Sequence, residues 1–336
     1  MDFLLLDFLG KPVWSWGLFL ILVVALLAFD LGVLYRKSHE IGVRESLLLS
    51  AFYIGAGLLF SIWIWHYLGE RAALLYLTGF VVEKSLALDN IFVIAMIFAY
   101  FGVPRAYQHR VLVYGILGVI LLRGVMIGVG AEVVEHFEWV LLVFAAFLIV
   151  TGVKMLTGGQ DEYDVAKNPV LRFMRRRFRV TDELHGERFF VRRPMGLSGK
   201  TALCVTPLFL ALVMVELADV IFAVDSIPAI FAITTDPYIV FTSNIFAILG
   251  LRALFFALSA MMHRFVHLKT AVSLVLVFIG AKVIGAELLG IEKVPAALSL
   301  GVTAALLTGG VALSLWQTRR SDAEPPTPAQ VPVHPE

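Results

Sequence analysis

The chain has 336 residues, of which 60% are hydrophobic and only 16% are charged, and its formal net charge is +1. This composition excludes a soluble globular protein and offers no basic surface for nucleic acid. Apolar runs of about 20 residues, the length that crosses a bilayer, recur from end to end. The single cysteine, Cys204, excludes an intrachain disulfide and a thiolate metal cluster. The sequence therefore predicts an all-α, polytopic membrane helix bundle.

Hydropathy between polar breaks predicts about nine transmembrane helices in this bundle. The predicted spans cover residues 13–35, 46–68, 72–101, 109–131, 137–157, 200–233, 239–261, 270–288 and 294–316. The N-terminus lacks the basic region of a cleavable signal peptide, so we expect the first span to be retained.

Positive charge alternates from one connection to the next. Connections after odd-numbered spans carry arginine and lysine, whereas those after even-numbered spans are nearly bare of both. By the positive-inside rule, we expect the N-terminus outside the cell and the C-terminus in the cytoplasm. The connection 158–198 is then a cytoplasmic basic loop. Within it, residues 171–180 mix bulky apolar and cationic side chains, which is typical either of a helix lying on anionic lipid or of charge that sets topology.

The third and sixth predicted spans contain acidic residues in apolar surroundings. An ionised carboxylate at bilayer depth is unfavourable unless it faces a cavity, a cation or a partner. These acids and the polar residues beside them are candidate metal ligands: Glu83, Asp89, Asn90, Glu216, Asp219, Asp225 and Ser226. Oxygen ligands of this kind suit hard divalent ions such as Mn²⁺, Ca²⁺ and Mg²⁺ rather than zinc or copper.

Three landmarks recur in the same order along the two halves of the chain. They are separated by 136, 129 and 128 residues: Asp89 and Asp225, Arg123 and Arg252, and Lys154 and Lys282. The near-constant offset predicts a duplicated three-helix unit. Because three is odd, the second copy is inverted, the arrangement that forms midplane binding sites in secondary transporters.

The duplication predicts a division of the chain into six parts. They are a two-span N-terminal extension (1–71), repeat A (72–157), the cytoplasmic basic loop (158–198), repeat B (199–288), a ninth span (289–318) and a disordered cytoplasmic tail (319–336).

Proline in the second acidic span predicts a kinked or broken helix. Pro228 removes a backbone donor close to Asp225, and a regular helix would place Asp225 about 120° away from Asp219. A break would bring these acids together and free carbonyl oxygens. In the first copy, a break near Asp89 rests on analogy alone.

Arg123 and Arg252 lie in the middle of predicted spans. We expect them to be internal counter-charges that fix the carboxylate geometry. The alternative is that the acids pair with arginine and lysine only to hold the bundle together. Asn244 either extends the polar lining or serves as packing between helices.

Long strings around these residues resemble TerC-type integral membrane proteins. The strings cover residues 83–93, 206–212, 216–232 and 243–252, within a resemblance that extends from about residue 28 to 286. It implies membership of the LysE-like transporter superfamily and, for the Alx-like bacterial branch, manganese efflux across the bacterial cytoplasmic membrane. The intramembrane acids of the family match Glu83, Asp89, Glu216, Asp219 and Asp225.

We therefore expect a secondary transporter, not an enzyme, that exports a divalent metal ion from the cytoplasm. Mn²⁺ is the first candidate ion and Ca²⁺ the second; protons are the expected coupling ion, the bilayer is a partner, and no organic cofactor is expected. No Walker-type phosphate loop is present. The rival interpretations are a Ca²⁺/H⁺ exchanger, a membrane scaffold or assembly factor linked to metal homeostasis or tellurium resistance, and an intramembrane hydrolase.

Overall fold

The computed structural model describes residues 2–34, 42–137, 139–157, 165–195, 200–259, 268–289 and 295–323. Over these residues the chain forms α-helices and two small antiparallel hairpins. The helices are α1 (Val13–Leu34), α2 (Val43–Leu68), α3 (Glu70–Tyr100), α4 (Arg105–His136), α5 (Val140–Thr157), α6 (Pro169–Arg177), α7 (Pro207–Phe231), α8 (Pro237–Leu249), α9 (Leu251–Ser259), α10 (Leu268–Leu289) and α11 (Ala296–Ala323). The hairpins pair β1 (Asp7–Phe8) with β2 (Lys11–Pro12), and β3 (Phe190–Met195) with β4 (Lys200–Val205).

The helices confirm an all-α polytopic membrane bundle. Seven are long and apolar enough to cross a membrane: Arg44–Leu68, Arg105–His136, Val140–Thr157, Pro207–Phe231, Pro237–Leu258, Lys269–Leu288 and Ala296–Ser314. A shorter apolar helix covers Val13–Phe29. Helices suit this setting because they satisfy their backbone hydrogen bonds internally. The acidic helix α3 has 31 residues and is not among the seven, so the count of about nine spans stays a prediction.

The sixth span begins later than predicted. Residues 200–205 form β4, and α7 begins at Pro207. The two strands run antiparallel with Phe190 opposite Val205 and Met195 opposite Lys200. The apolar character of β4 misled the hydropathy window, because a short strand and a helix end cannot be told apart by hydropathy alone.

The hairpin is fastened to the start of α7. Only Thr206 separates β4 from the helix. Its backbone nitrogen donates to the Phe189 carbonyl at 3.0 Å, and its Oγ1 donates to the Arg188 carbonyl at 2.7 Å. The nitrogen of the preceding Val205 donates to the Arg179 carbonyl at 2.8 Å. Residues 179–195 and 200–206 therefore form a hydrogen-bonded base for α7.

The predicted break at Pro228 is wrong. Helix α7 is continuous from Pro207 to Phe231, and α3 is likewise continuous through Asp89. Pro228 lies within one turn of the helix end, and its own carbonyl accepts from Ala232 N at 2.9 Å, so the last turn still closes. The interruption in repeat B lies at Gly250, between α8 and α9. Any bend at Pro228 stays a prediction.

Helices α5 and α10 cross at two glycines in a reciprocal contact. A methyl group at Gly152 would lie 2.7 Å from the Ser273 carbonyl oxygen, and one at Gly280 would lie 2.5 Å from the Ala145 carbonyl oxygen. Ser273 follows Ala145 by 128 residues, the same offset that separates Gly280 from Gly152. In addition, α3 packs on α8 and α4 packs on α7, so each copy's first helix contacts the other copy's second helix. These contacts support the duplication; the inverted orientation stays a prediction.

Helix α6 differs from the expected helix on lipid. It covers Pro169–Arg177, and its apolar face is turned inward, because Leu171 and Met174 are buried in a hydrophobic cluster with residues of α3, α4, α7 and α9. The arginines on its other face are exposed, and Arg175 lies over the ring of Tyr100 at 5.9 Å from its centroid. Of the two interpretations of this segment, the helix on lipid is therefore not supported, because Leu171 and Met174 anchor α6 to the protein; that its charge sets topology stays a prediction.

Candidate functional site

Arg123 is the centre of a buried polar cluster between four helices. It lies in the middle of α4 and is only 1% exposed. Its Nε and Nη2 donate to the two carboxylate oxygens of Asp219 on α7, each at 3.1 Å, and its Nη1 donates to Glu83 on α3. The same Nη1 lies 3.3 Å from Ser226 Oγ and 3.1 Å from Asn244 Oδ1. We call Glu83, Arg123, Asp219, Ser226 and Asn244 the Arg123 cluster.

The geometry of the Arg123 cluster follows from the chemistry of guanidinium. Its planar fork of donors matches a carboxylate in a bidentate pair, which a lysine ammonium cannot do. Every member of the cluster is buried, so its polar groups have exchanged water for one another. Removing one partner of such a pair typically costs about 3–5 kcal/mol, because the other charge is left buried and uncompensated.

Glu216 adds a further carboxylate next to the cluster. It lies one turn before Asp219 on α7 and interacts electrostatically with it. The Glu216 carboxylate rests against Gly118 of α4, where a methyl group would lie 2.4 Å from Glu216 Oε1. Within the described part of the chain, Glu216 Oε2 is buried without a hydrogen-bond partner, and so is Glu83 Oε2. The site thus has two carboxylates paired with one guanidinium and a third beside them, and two of their oxygens have no partner among the described residues.

A cavity of about 40 Å³ borders this site. Its polar lining comes from Asn90, Asp219 and Arg252, and the rest of its wall is mainly apolar. A space of this size holds on the order of three water-sized particles. Arg252 is 3% exposed and its Nη1 donates to His109 Nε2 at 3.1 Å. The cavity therefore lies between the two intramembrane arginines.

The remaining candidate residues are not members of the Arg123 cluster, or their side chains are not among the described residues. Asp225 is half-buried and interacts electrostatically with Lys154. Lys84 donates to the Ala247 carbonyl at 2.9 Å. The backbone of Asp89 is part of α3, but its side chain lies outside the described residues.

Among the side chains that the structure describes, no group of three or more histidine, cysteine or acidic residues is arranged to hold a metal ion. The structure thus brings together Glu83, Asp219 and Ser226 from the predicted ligands, but around Arg123. Asn244, which the sequence left undecided between lining and packing, belongs to the same cluster. Sequence reasoning missed the role of Gly118, because only the fold shows that the Glu216 carboxylate fills the space where a Cβ atom of residue 118 would lie.

Comparison with known proteins identifies the family. The model described as "Integral membrane protein TerC family" matches residues 68–322. This chain belongs to the TerC family. The match contains every member of the Arg123 cluster, together with Glu216 and Arg252.

The TerC-family relatives match nearly the whole chain. A protein of Salmonella typhi named as a membrane-bound redox modulator, Alx, is 46% identical over 322 residues, which cover 93% of this chain and 97% of that protein. The Alx protein of Escherichia coli strain K12 is 44% identical over 324 residues, covering 94% and 98%. A membrane protein of Rickettsia bellii is 44% identical over 301 residues, covering 90% and 97%. No solved structure matches this chain.

Proposed function

We propose that this TerC-family protein is a secondary transporter that exports a divalent metal ion, with Mn²⁺ as the first candidate substrate and Ca²⁺ as the second. The observation that carries the proposal is the excess of buried carboxylate over cation at the Arg123 cluster. Glu83 and Asp219 pair with one guanidinium, Glu216 adds a third carboxylate one turn before Asp219, and two carboxylate oxygens have no hydrogen-bond partner among the described residues. In ionised form these four side chains carry a net charge of −2, which a divalent cation would balance.

The chemistry of the donors favours a hard ion. Carboxylate, amide and hydroxyl oxygens are the ligands of Mn²⁺, Ca²⁺ and Mg²⁺, whereas zinc and copper sites usually include histidine or cysteine. The Arg123 cluster contains neither. Buried acids at this depth also carry protons in many pumps and transporters, so proton exchange is the coupling that we propose.

The name of the Alx relatives suggests a rival proposal, a redox function. This chain has a single cysteine, Cys204, so it cannot form an intrachain dithiol and disulfide pair. A redox function would therefore require a different redox group. The buried acids have no evident use in such a function, whereas cation transport uses them directly.

The test is Mn²⁺ flux through the purified protein in sealed vesicles. We expect Asp219→Asn and Glu216→Gln to lower the flux at least about tenfold, since loss of even an outer partner of a metal site costs that much. Asp89→Asn and Asp225→Asn, which change the corresponding predicted ligands of the two copies, are also expected to lower flux while the protein stays folded. The matched control is Glu132→Gln, an exposed acid near the end of α4.

The outcome can contradict the proposal in two ways. Wild-type flux in Asp219→Asn and Glu216→Gln would remove the acids from the transport site. Absence of Mn²⁺ and Ca²⁺ flux in the wild-type protein, despite correct folding in the vesicle, would end the transport proposal itself.

A further inference from the structure

The guanidinium of Arg123 occupies the oxygens that a bound metal ion would need. Arg123 is not a remote counter-charge, because it donates hydrogen bonds directly to Glu83 and to both oxygens of Asp219. Ser226 and Asn244 also direct their oxygens at it. These are the carboxylate, hydroxyl and amide groups that would otherwise face a hard cation.

The oxygens left over are too few to form a site. Within the described part of the cluster and its neighbour Glu216, the unsatisfied carboxylate oxygens are Glu83 Oε2 and Glu216 Oε2. A hard divalent ion takes six or more oxygen ligands. The other side-chain oxygens of the Arg123 cluster all accept hydrogen bonds from Arg123.

From these contacts we infer that Arg123 is a built-in competitor of the transported ion and a specificity-determining residue of the site. The inference rests on the proposed function. When no ion is bound, the guanidinium holds Glu83 and Asp219 and offsets one of their two negative charges; when a divalent ion binds, it releases at least one of them. The two cations repel each other at low dielectric, so they cannot share one carboxylate without cost.

Space for the exchange lies beside Asp219, the carboxylate that holds the guanidinium with both oxygens. The cavity of about 40 Å³ is bordered by Asp219 and by Val119, which lies one helical turn before Arg123 on α4. Asp219 is thus a member of both the cluster and the cavity wall. A shift of this one carboxylate moves it from the guanidinium towards the cavity.

Competition also explains selectivity by charge. A monovalent ion such as Na⁺ brings the same charge as guanidinium but cannot match its five directed donors. A divalent ion brings twice the charge and can displace it. Arg123 therefore excludes monovalent ions and weakens the binding of divalent ions enough for their release, which transport requires.

The experiment measures Mn²⁺ binding to the purified full chain by calorimetry, together with thermal unfolding with and without Mn²⁺. We expect Arg123→Gln to bind Mn²⁺ about tenfold or more tightly than wild type, and to respond to Na⁺ where wild type does not. Without metal this variant unfolds at a lower temperature, and Mn²⁺ restores its stability. The control is Lys282→Gln, which removes an intramembrane cation that donates to Ser299 Oγ, far from the cluster in sequence; it is expected to bind as wild type does.

Each outcome decides the inference. Weaker Mn²⁺ binding by Arg123→Gln than by wild type and Lys282→Gln would overturn it, because Arg123 would then be a scaffold for the ligands, and the proposed function would stand. Absence of Mn²⁺ binding in all proteins would overturn both. If Arg123→Gln does not fold, Arg123→Lys decides: tighter binding than wild type supports competition, since lysine lacks the bidentate fork, and equal or weaker binding overturns it.

Discussion

Gly118 has no side chain, and this determines where the Glu216 carboxylate lies. Its Cα faces the Glu216 carboxylate, which fills the place where a Cβ would be. Because Glu216 Oε2 has no hydrogen-bond partner among the described residues, the packing against Gly118 is what holds this acid beside Asp219. The position of Glu216 is therefore set by shape and not by hydrogen bonds.

Gly118→Ala is expected to displace Glu216 without unfolding the protein. The added methyl group meets the flexible end of a side chain, which can rotate away, while alanine favours the helix by up to about 1 kcal/mol. We expect Mn²⁺ affinity to fall about tenfold in binding assays, with unchanged thermal stability.

The control for this glycine lies on the same helix. A methyl group at Gly128 meets nothing within 4 Å, so Gly128→Ala should bind Mn²⁺ as wild type does. Equal affinities for the two alanine variants would remove Glu216 from the ion site.

The candidate residues themselves were accessible to sequence analysis, but their partners were not. An acid in an apolar span is visible in the sequence because it contradicts its surroundings, as Glu83 and Asp219 do. Which cation it pairs with depends on how the helices pack. The two repeats contain one candidate each, Arg123 and Arg252, and only the fold shows that Arg123 pairs with acids from α3 and α7. The direct occupation of the ligands by the guanidinium could not be read from spacing.

At the scale of elements, most helix boundaries followed the hydropathy, but the start of α7 and the position of the interruption did not. Proline suggested a break at Pro228, but one missing donor near a helix end changes little when the last turn still closes. The glycine at this interruption, Gly250, is required by tertiary packing. A methyl group there would lie 2.8 Å from Lys84 Nζ and 2.9 Å from Tyr53 Cβ, neither of which is near in sequence.

The crossing of α5 and α10 makes a strict demand on two residues. We expect Gly152→Ala and Gly280→Ala each to destabilise the protein by about 1–3 kcal/mol, because the methyl group meets a rigid backbone oxygen of the facing helix. Thermal unfolding of the purified protein is the measurement. Gly285→Ala on α10, where nothing lies within 4 Å, should be neutral or slightly stabilising.

The reciprocal contact also predicts coupling between the two changes. Because Gly152 and Gly280 share one interface, a helix shift that accommodates the first methyl group also changes the space available to the second, so the double variant should deviate from additivity. Additive losses would indicate that the two glycines act independently.

At the scale of the whole molecule, the charge pattern assigns each connection to a side of the membrane. In a Cys204→Ser background, we expect Arg177→Cys to resist a membrane-impermeant maleimide in intact cells and to react after permeabilisation. Glu132→Cys should react in intact cells. Both positions are exposed at the surface of the described fold. The physical reason is the higher cost of translocating short arginine-rich segments.

The opposite labelling pattern would contradict the predicted orientation, in which the N-terminus is outside the cell. Labelling of both positions in intact cells would contradict the odd number of spans between them. Glu132 and Arg177 are separated by α5, so one crossing is expected.

The attachment of the β3–β4 hairpin to α7 makes that hairpin a point of access to the helix that carries Glu216 and Asp219. Thr206 is the one residue between β4 and α7, and its hydrogen bonds fix the strand to the start of that helix. A nanobody that binds the hairpin would restrict the movement of this helix from outside the bilayer. Screening such binders for inhibition of flux would identify reagents that hold the protein in one conformation. The bound nanobody would also add ordered mass for single-particle imaging.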